Sequence, residues 1–278
     1  MSSCEVLNPR ANNDSPRHLI ALDVDGTIVN YDDELSDPVR NAIRDADEAG
    51  HHIVIATGRG VTGALPVADR LGLMSGYVVC ANGSVIVRLD PELDLGWTVH
   101  KVITFDPAPA LKSLHRVAGT AAFMVEDSDL ERWVSAPFPE NELTGSLHEV
   151  PFDELLTKEA TRIVMRDPSR TAEEFDAVVR ESGLQGVGYS VGWSAWLDIS
   201  PEGVSKASAL EDVRQWLGIE QEHTFAAGDG TNDIEMLQWS RRAVAMGNAA
   251  EQLKAVASEI TGTVDEDGLV TALRPLIG

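Results

Sequence analysis

From residue 18 onward, short apolar runs alternate with stretches in which apolar residues recur every three or four positions. That alternation predicts strands joined by amphipathic helices, as in parallel βαβ units. The run His18 to Val24 reads as a buried strand, and "SDPVRNAIRDADEAG" after it reads as a helix. Ser36 or Asp37 can cap that helix, Pro38 suits its first turn, Val39, Ala42, Ile43 and Ala46 form one apolar stripe, and Gly50 ends it. A strand in "HIVIAT", a helix from Ala64 to Leu71 and a strand in "GYVVCA" complete this first stretch.

The texture changes after Asn82-Gly83. "SVIVRL", "WTVHKVITF", "AAFMVED" and "TRIVMRD" predict half-polar strands, with helices over "APALKSLHRVAG" and "TAEEFDAVVRESG". Half-polar strands suit an antiparallel sheet with one wet face. The first texture returns from Trp196: a helix in "VSKASALEDVRQWLGI" with Val204, Ala207, Leu210, Val213 and Leu217 inward, a buried strand in "HTFAAGDG", a short helix in "IEMLQWS", and a strand in "AVAMGNA". The helix "AEQLKAVAS" follows, and the chain ends in "GLVTALRPLIG". The expected fold is α/β, with a Rossmann-like doubly wound parallel-sheet core over 18–85 and 193–278. An inserted α+β cap domain is expected over 86–192, and a flexible N-terminal tail over 1–17.

Composition narrows the partners. With 22 Lys+Arg against 45 Asp+Glu the net charge is −23, a field that repels nucleic acid and anionic membrane surfaces, so neither is expected as a partner. Cys4 and Cys80 offer neither a metal-ligand spacing nor a disulfide framework. The leader "MSSCEVLNPRANNDSPRH" lacks an apolar signal core and no run is long enough to span a membrane, so a cytoplasmic protein is expected, either monomer or homodimer. His51 and His52, past a helix end, read as exposed, and Trp193 and Trp196 read as packing residues.

Candidate chemistry gathers where these strands end, the place at which open parallel sheets bind ligands. Strand one ends in "DVDGT", whose Asp23 and Asp25 would face one another at strand spacing. Alone this fits a strand-end turn as well as a carboxylate pair around a cation. "ATGR" adds Thr57, "GDGTND" adds Asp229 and Asp233, and Lys206 opens a helix. Oxygen-only ligation of this kind is what Mg²⁺ prefers, usually shared with a substrate phosphate. Asp23 would then be the nucleophile, Asp25 the proton donor and acceptor, and Thr57 and Lys206 the binders of phosphoryl oxygens.

The four segments "DVDGT", "ATGR", "GVSKASAL" and "GDGTNDIEML", in that order, resemble the haloacid dehalogenase superfamily of aspartate-dependent phosphatases. With the long insertion after the third strand, the chain looks like the Cof-type branch (subfamily IIB, C2-type α/β cap). The resemblance implies a phosphatase in which Asp23 is phosphorylated and Asp25 is the acid/base. It places Mg²⁺ on the Asp23 side chain, the Asp25 carbonyl and Asp229, with Asp233 a metal-site acid behind them. It also assigns Gly26, Gly58 and Asn232 to the support of the phosphate. Arg59 fits either a surface ion pair or a place near the phosphate, and Asn82 and Gly83 fit either a hairpin turn or a contact with the leaving group. The implied substrate is a small phosphorylated metabolite, sugar phosphates first. A phosphotransferase or phosphomutase, or a non-catalytic Mg²⁺ and phosphate-binding regulator, are the other readings.

Overall fold

In the computed structural model, which describes residues 16–139, 142–143, 145–192 and 195–277, the first strand forms where expected. The tail expected over 1–17 thus lies almost wholly outside the described residues, as does Trp193. The strands are β1 (Leu19–Leu22), β2 (His52–Ala56), β3 (Gly76–Cys80), β4 (Val85–Leu89), β5 (Trp97–Val102), β6 (Ala122–Asp127) and β7 (Arg132–Val134). They continue as β8 (His148–Glu149), β9 (Ala160–Arg166), β10 (Val187–Gly192), β11 (Trp196–Pro201), β12 (Thr224–Gly228), β13 (Arg242–Ala245) and β14 (Glu259–Ile260).

One sheet has eight strands in the order β14-β13-β12-β1-β2-β3-β4-β5, parallel from β14 to β3. Period-two alternation explains why its central strands are apolar throughout. Ile20 and Leu22 enter a core with the helices Asp37–Glu48, Val61–Leu71 and Gly268–Ile277, while Leu19 and Ala21 enter a second core with Lys206–Leu217 and Ile234–Trp239. Helices on both faces make the sheet doubly wound. The stripe of Asp37–Glu48 is as expected, with Ser36 accepting the capping bond from Val39 N. In Lys206–Leu217 the buried face is Lys206, Ala209, Leu210 and Val213, with Leu217 partly buried against the same core; Leu210, Val213 and Leu217 are as expected, while Lys206 and Ala209 take the inward places expected of Val204 and Ala207.

The second sheet has six strands in the order β10-β11-β9-β6-β7-β8. Its membership moves both expected boundaries of the insertion. β4 and β5, expected in the cap, extend the eight-stranded sheet as antiparallel strands: β4 is mostly buried between β3 and β5, and the exposed positions of β5 mark the sheet edge rather than a new domain. β11, expected in the core, pairs with β9 and β10 in the six-stranded sheet. It looked like core because it is a buried, central strand.

The expected wet face of the second sheet is not wet. One face of β6, β9 and β11 packs Phe123, Val125, Ile163, Met165, Leu197 and Ile199 against the helices Ala108–Val117 and Ala172–Ser182. The other carries Glu126, Arg162 and Arg166, all buried, because it is turned onto the loops at the carboxyl ends of the first sheet. Arg162 Nη1 donates to the Gly58 carbonyl and Arg132 Nη2 to the Thr62 hydroxyl. His51, expected to be exposed, is 8% exposed: its Nδ1 accepts from His18 N at 3.1 Å and its Nε2 donates to the Leu276 carbonyl at 2.7 Å.

Candidate active site

The four motif segments meet at the carboxyl edge of β1, β2, β3 and β12. Lys206 is the centre of the arrangement. Its Nζ donates to Asp23 Oδ1 and to Asp233 Oδ1, each at 2.6 Å, and the side chain is wholly buried. A lysine at the first position of a helix opposes the helix dipole, so helix stability does not account for it. The two carboxylates do: burial would lower its pKa, but Asp23 and Asp233 hold it above the ordinary lysine value.

The acids are strained in the opposite sense. Burial, followed by the repulsion of Asp233, raises Asp23 well above the usual carboxylate range against the pull of Lys206. Burial likewise raises Asp229 to about 6, with Asp233 adding to the rise and Lys206 and the Tyr31 hydrogen bond opposing it. Tyr31 Oη donates to Asp229 Oδ2 at 2.6 Å, and the same burial and carboxylate push the phenol up to about 12. Asn248 Nδ2 lies 3.3 Å from that oxygen and donates to the Gly26 carbonyl at 2.9 Å. Asp233 Oδ2 accepts from Asp229 N at 3.1 Å and Gly230 N at 2.9 Å, which closes the turn around the acids.

Asp23, Asp229 and Asp233 each present an oxygen within 4.8 Å of the others. Three buried carboxylates at that spacing repel one another, and a hard divalent cation with oxygen ligands is the group that removes the repulsion. The donor set therefore fits Mg²⁺. With the neighbouring Asp25 the site counts four carboxylates against the two cations Lys206 and Arg59, an excess that one divalent ion balances.

Asp25 does not face Asp23. β1 ends at Leu22, so strand spacing no longer governs the two side chains, and the Asp25 carboxylate instead takes Arg59 Nε at 3.0 Å and Nη2 at 2.5 Å. Arg59 also bonds Asp33, which in turn holds Arg70. The surface acid expected to pair with Arg59 is thus Asp25 itself. Gly26, at φ +79°, sits so close that a Cβ would overlap the Asp229 carboxylate and lie 2.8 Å from the Tyr31 hydroxyl.

The remaining candidates line the same edge. Thr57 is buried, and its Oγ1 accepts from Arg59 N at 3.0 Å. Ala81 and Asn82 are both left-handed, a strained pair held by Ala81 N to the Arg59 carbonyl at 2.8 Å and Asn82 N to the Thr57 carbonyl at 3.0 Å. Asn82 Oδ1 accepts from Asn232 Nδ2 at 2.9 Å, tying the third strand's loop to the fourth motif. Gly83, at φ +107°, packs against the Ser205 carbonyl, where a Cβ would overlap. Gly58 touches Asn82, which lies 3.3 Å from where its Cβ would be.

Sequence reasoning missed Tyr31, Asn248 and the cap residues Glu126, Arg132, Arg162 and Asp198. Asn248 follows the end of β13, so the rule that locates function at carboxyl ends of strands also reaches it. Tyr31 and the cap charges carry no local signal, since only the tertiary fold brings them to the site. A cleft lined by Arg17, His52, Tyr77 and Arg88 opens at the amino ends of the strands and shares no residue with this site.

Comparison with known proteins identifies the family and the fold. The family described as haloacid dehalogenase-like hydrolase matches residues 20–273. The 5-amino-6-(5-phospho-D-ribitylamino)uracil phosphatase YcsE of Bacillus subtilis (strain 168) is 31% identical, over 92% of this chain and 94% of that protein. The crystal structure of a haloacid dehalogenase-like hydrolase from Bacteroides thetaiotaomicron superposes with a TM-score of 0.76 at 26% identity, covering 94% of this chain and 99% of that one. The fold is also that of the subclass IIB sugar phosphatase BT4131, with a TM-score of 0.77 at 23% identity over 92% and 98% of the two chains.

Proposed function

Because this chain belongs to the haloacid dehalogenase-like hydrolases and is a phosphatase, we propose that it hydrolyses phosphomonoesters with Mg²⁺ through an aspartyl-phosphate on Asp23. The observation that carries this reading is the buried ammonium of Lys206 held between Asp23 and Asp233, with Asp229 beside them. An ammonium in that place favours the ionised, attacking form of Asp23 against the burial and the Asp233 repulsion that oppose it, and its charge offsets that of an incoming phosphoryl group.

In the first half-reaction an Asp23 carboxylate oxygen bonds to phosphorus, the phosphorus–oxygen bond of the ester breaks, and Asp25 gives the departing alkoxide a proton. In the second, Asp25 takes a proton from water, the water oxygen bonds to phosphorus, and the bond to Asp23 breaks to release inorganic phosphate. Asp25 leaves the Arg59 clasp to reach the leaving oxygen, so exchange of that ion pair belongs to the cycle. Thr57 and Lys206 bind the phosphoryl oxygens, and Asn82 and Asn232 brace the loops that carry them. Asp23, Asp229 and the Asp25 carbonyl would hold Mg²⁺, with Asp233 behind, and the ion would spread the charge of the transferring phosphoryl group.

The substrate is a small phosphorylated metabolite, and a sugar or sugar-alcohol phosphate is favoured. The ribityl phosphate named for the Bacillus subtilis relative supports this preference. Phosphate release from a panel of phosphomonoesters, with Mg²⁺ or EDTA, tests the reading. Wild-type release should require the metal and vanish in Asp23→Asn. Equal activity of Asp23→Asn and the wild type would remove the nucleophile assignment.

A further inference from the structure

The cap sheet presents a row of alternating charges to the catalytic loops. Glu126 on β6 stands opposite Arg162 on β9 and, on its other side, opposite Arg132 on β7. Asp198 on β11 pairs with Val164, two residues along from Arg162, and carries the row one strand further. Glu126 is 0%, Arg132 3% and Arg162 5% exposed. The row lies against the loop after Thr57: Arg162 bonds the Gly58 carbonyl, and a Cβ on Gly60 would stand 2.5 Å from Glu126 Oε2. The groups assigned to the phosphoryl group all belong to the core, so the part of a substrate that meets this row is the leaving group.

Burying three charges, with a fourth partly buried beside them, is costly unless every lone pair and proton is matched. Here the match is incomplete. Glu126 Oε2 accepts from Arg132 Nε at 2.8 Å, but among the described residues Glu126 Oε1, Arg162 Nε and Asp198 Oδ1 have no hydrogen-bond partner. Asp198 Oδ1 lies 3.5 Å from Arg162 Nη1, an ion pair without hydrogen-bond alignment. Two acceptors and one donor are thus buried and unmatched in one row, beside an apolar strip of Met124, Val134 and Val164.

A hydroxyl both donates and accepts, so adjacent hydroxyls match this set. A second phosphate or a carboxylate only accepts, and would meet two carboxylates in a row where two arginines are already balanced by Glu126 and Asp198. A purely apolar leaving group would leave three buried polar atoms unmatched. We propose that Glu126, Arg162 and Asp198 determine specificity, selecting a neutral, hydroxyl-bearing leaving group against an acidic one. This rests on the phosphatase reading above and adds the residues that choose among its substrates.

The test measures kcat/KM for three polyol esters (ribitol 5-phosphate, sorbitol 6-phosphate and glycerol 3-phosphate), for 3-phosphoglycerate and for p-nitrophenyl phosphate. It uses the wild type, Glu126→Gln and Asp198→Asn. The ratio between two substrates within one preparation does not depend on the fraction folded. The wild type should prefer its best polyol ester to 3-phosphoglycerate by about a hundredfold, and each variant should lower the polyol to p-nitrophenyl ratio about tenfold. A role confined to closing the cap would lower all rates together and leave the ratio unmoved, which would overturn the proposal, as would preference for 3-phosphoglycerate. Calorimetric binding of the same esters to Asp23→Asn, with and without Glu126→Gln, separates the two readings. If the wild type hydrolyses none of the esters, the phosphatase reading fails. Binding still decides the proposal: tighter polyol ester binding that Glu126→Gln weakens supports it, and indifference to Glu126→Gln overturns it.

Discussion

Replacing Asp229 by Asn should make the metal-free protein more stable while destroying its response to Mg²⁺. Asp229 has a folded pKa of about 6 against an ordinary 3.8, raised by burial and by Asp233. A folded value above the unfolded one favours folding only below about pH 4 and is lost as pH rises through about 6. A difference of about two units corresponds to about 3 kcal/mol acting against the folded, metal-free protein at pH 7.5. Asn carries no charge and removes that term, but the Tyr31 hydroxyl then donates to a neutral oxygen, which returns about 1 kcal/mol. The expected net gain is about 1–2 kcal/mol at pH 7.5 in EDTA, shrinking to nothing near pH 4. Mg²⁺ at about a hundredfold over its dissociation constant should stabilise the wild type by about 2.7 kcal/mol and the variant far less. Urea unfolding at both pH values, with EDTA and with MgCl₂, reads each quantity. A variant less stable than the wild type in EDTA at pH 7.5, or Mg²⁺ protecting both equally, would refute the reasoning.

Two further substitutions probe the geometry. Gly26→Ala forces a side chain onto φ +79° and into the Asp229 carboxylate, so it should cost about 1–3 kcal/mol in urea unfolding and depress phosphate release by more than about tenfold. Arg59→Ala removes the contact that positions the Asp25 carboxylate between its two proton transfers, and should lower kcat about tenfold with little change in KM. Arg59→Lys should recover only part of that loss, because a single ammonium cannot reproduce the two-pronged contact with Asp25; full recovery in steady-state kinetics would show that charge alone suffices.

The candidate site was largely legible because its parts sit at predictable points of a periodic pattern. Asp23, Thr57, Asn82 and Asp229 all follow strands whose apolar runs are unmistakable, and the end of a parallel strand is a place that topology assigns. What the pattern could not supply was side-chain direction once a strand had ended. Asp25 was expected opposite Asp23, yet the chain turns at Gly26 and the carboxylate goes to Arg59, a partner 34 positions away. The cap boundary failed for a related reason. Polarity along β5 reports exposure at a sheet edge, and the buried polarity of β6 and β9 reports a face turned onto another domain's loops. Alternation in sequence distinguishes two faces of a strand but not what each face meets.

The division of charge between the two sheets has a consequence for how affinity and selectivity arise. The core site holds an excess of carboxylate over ammonium and guanidinium, inside a protein whose net charge is −23, so a phosphate dianion is repelled until a divalent ion offsets that excess. The cap row is neutral as it stands, with Glu126 and Asp198 balancing Arg132 and Arg162, and adds no attraction for anions in general. Attraction for the phosphoryl group therefore belongs to the core and is common to every phosphomonoester. Discrimination belongs to hydrogen-bond matching in the cap, where an unmatched buried atom costs more than a matched one contributes. A fold that separates the two can change substrates by exchanging residues on β6, β9 and β11 while the Lys206-centred acids stay as they are.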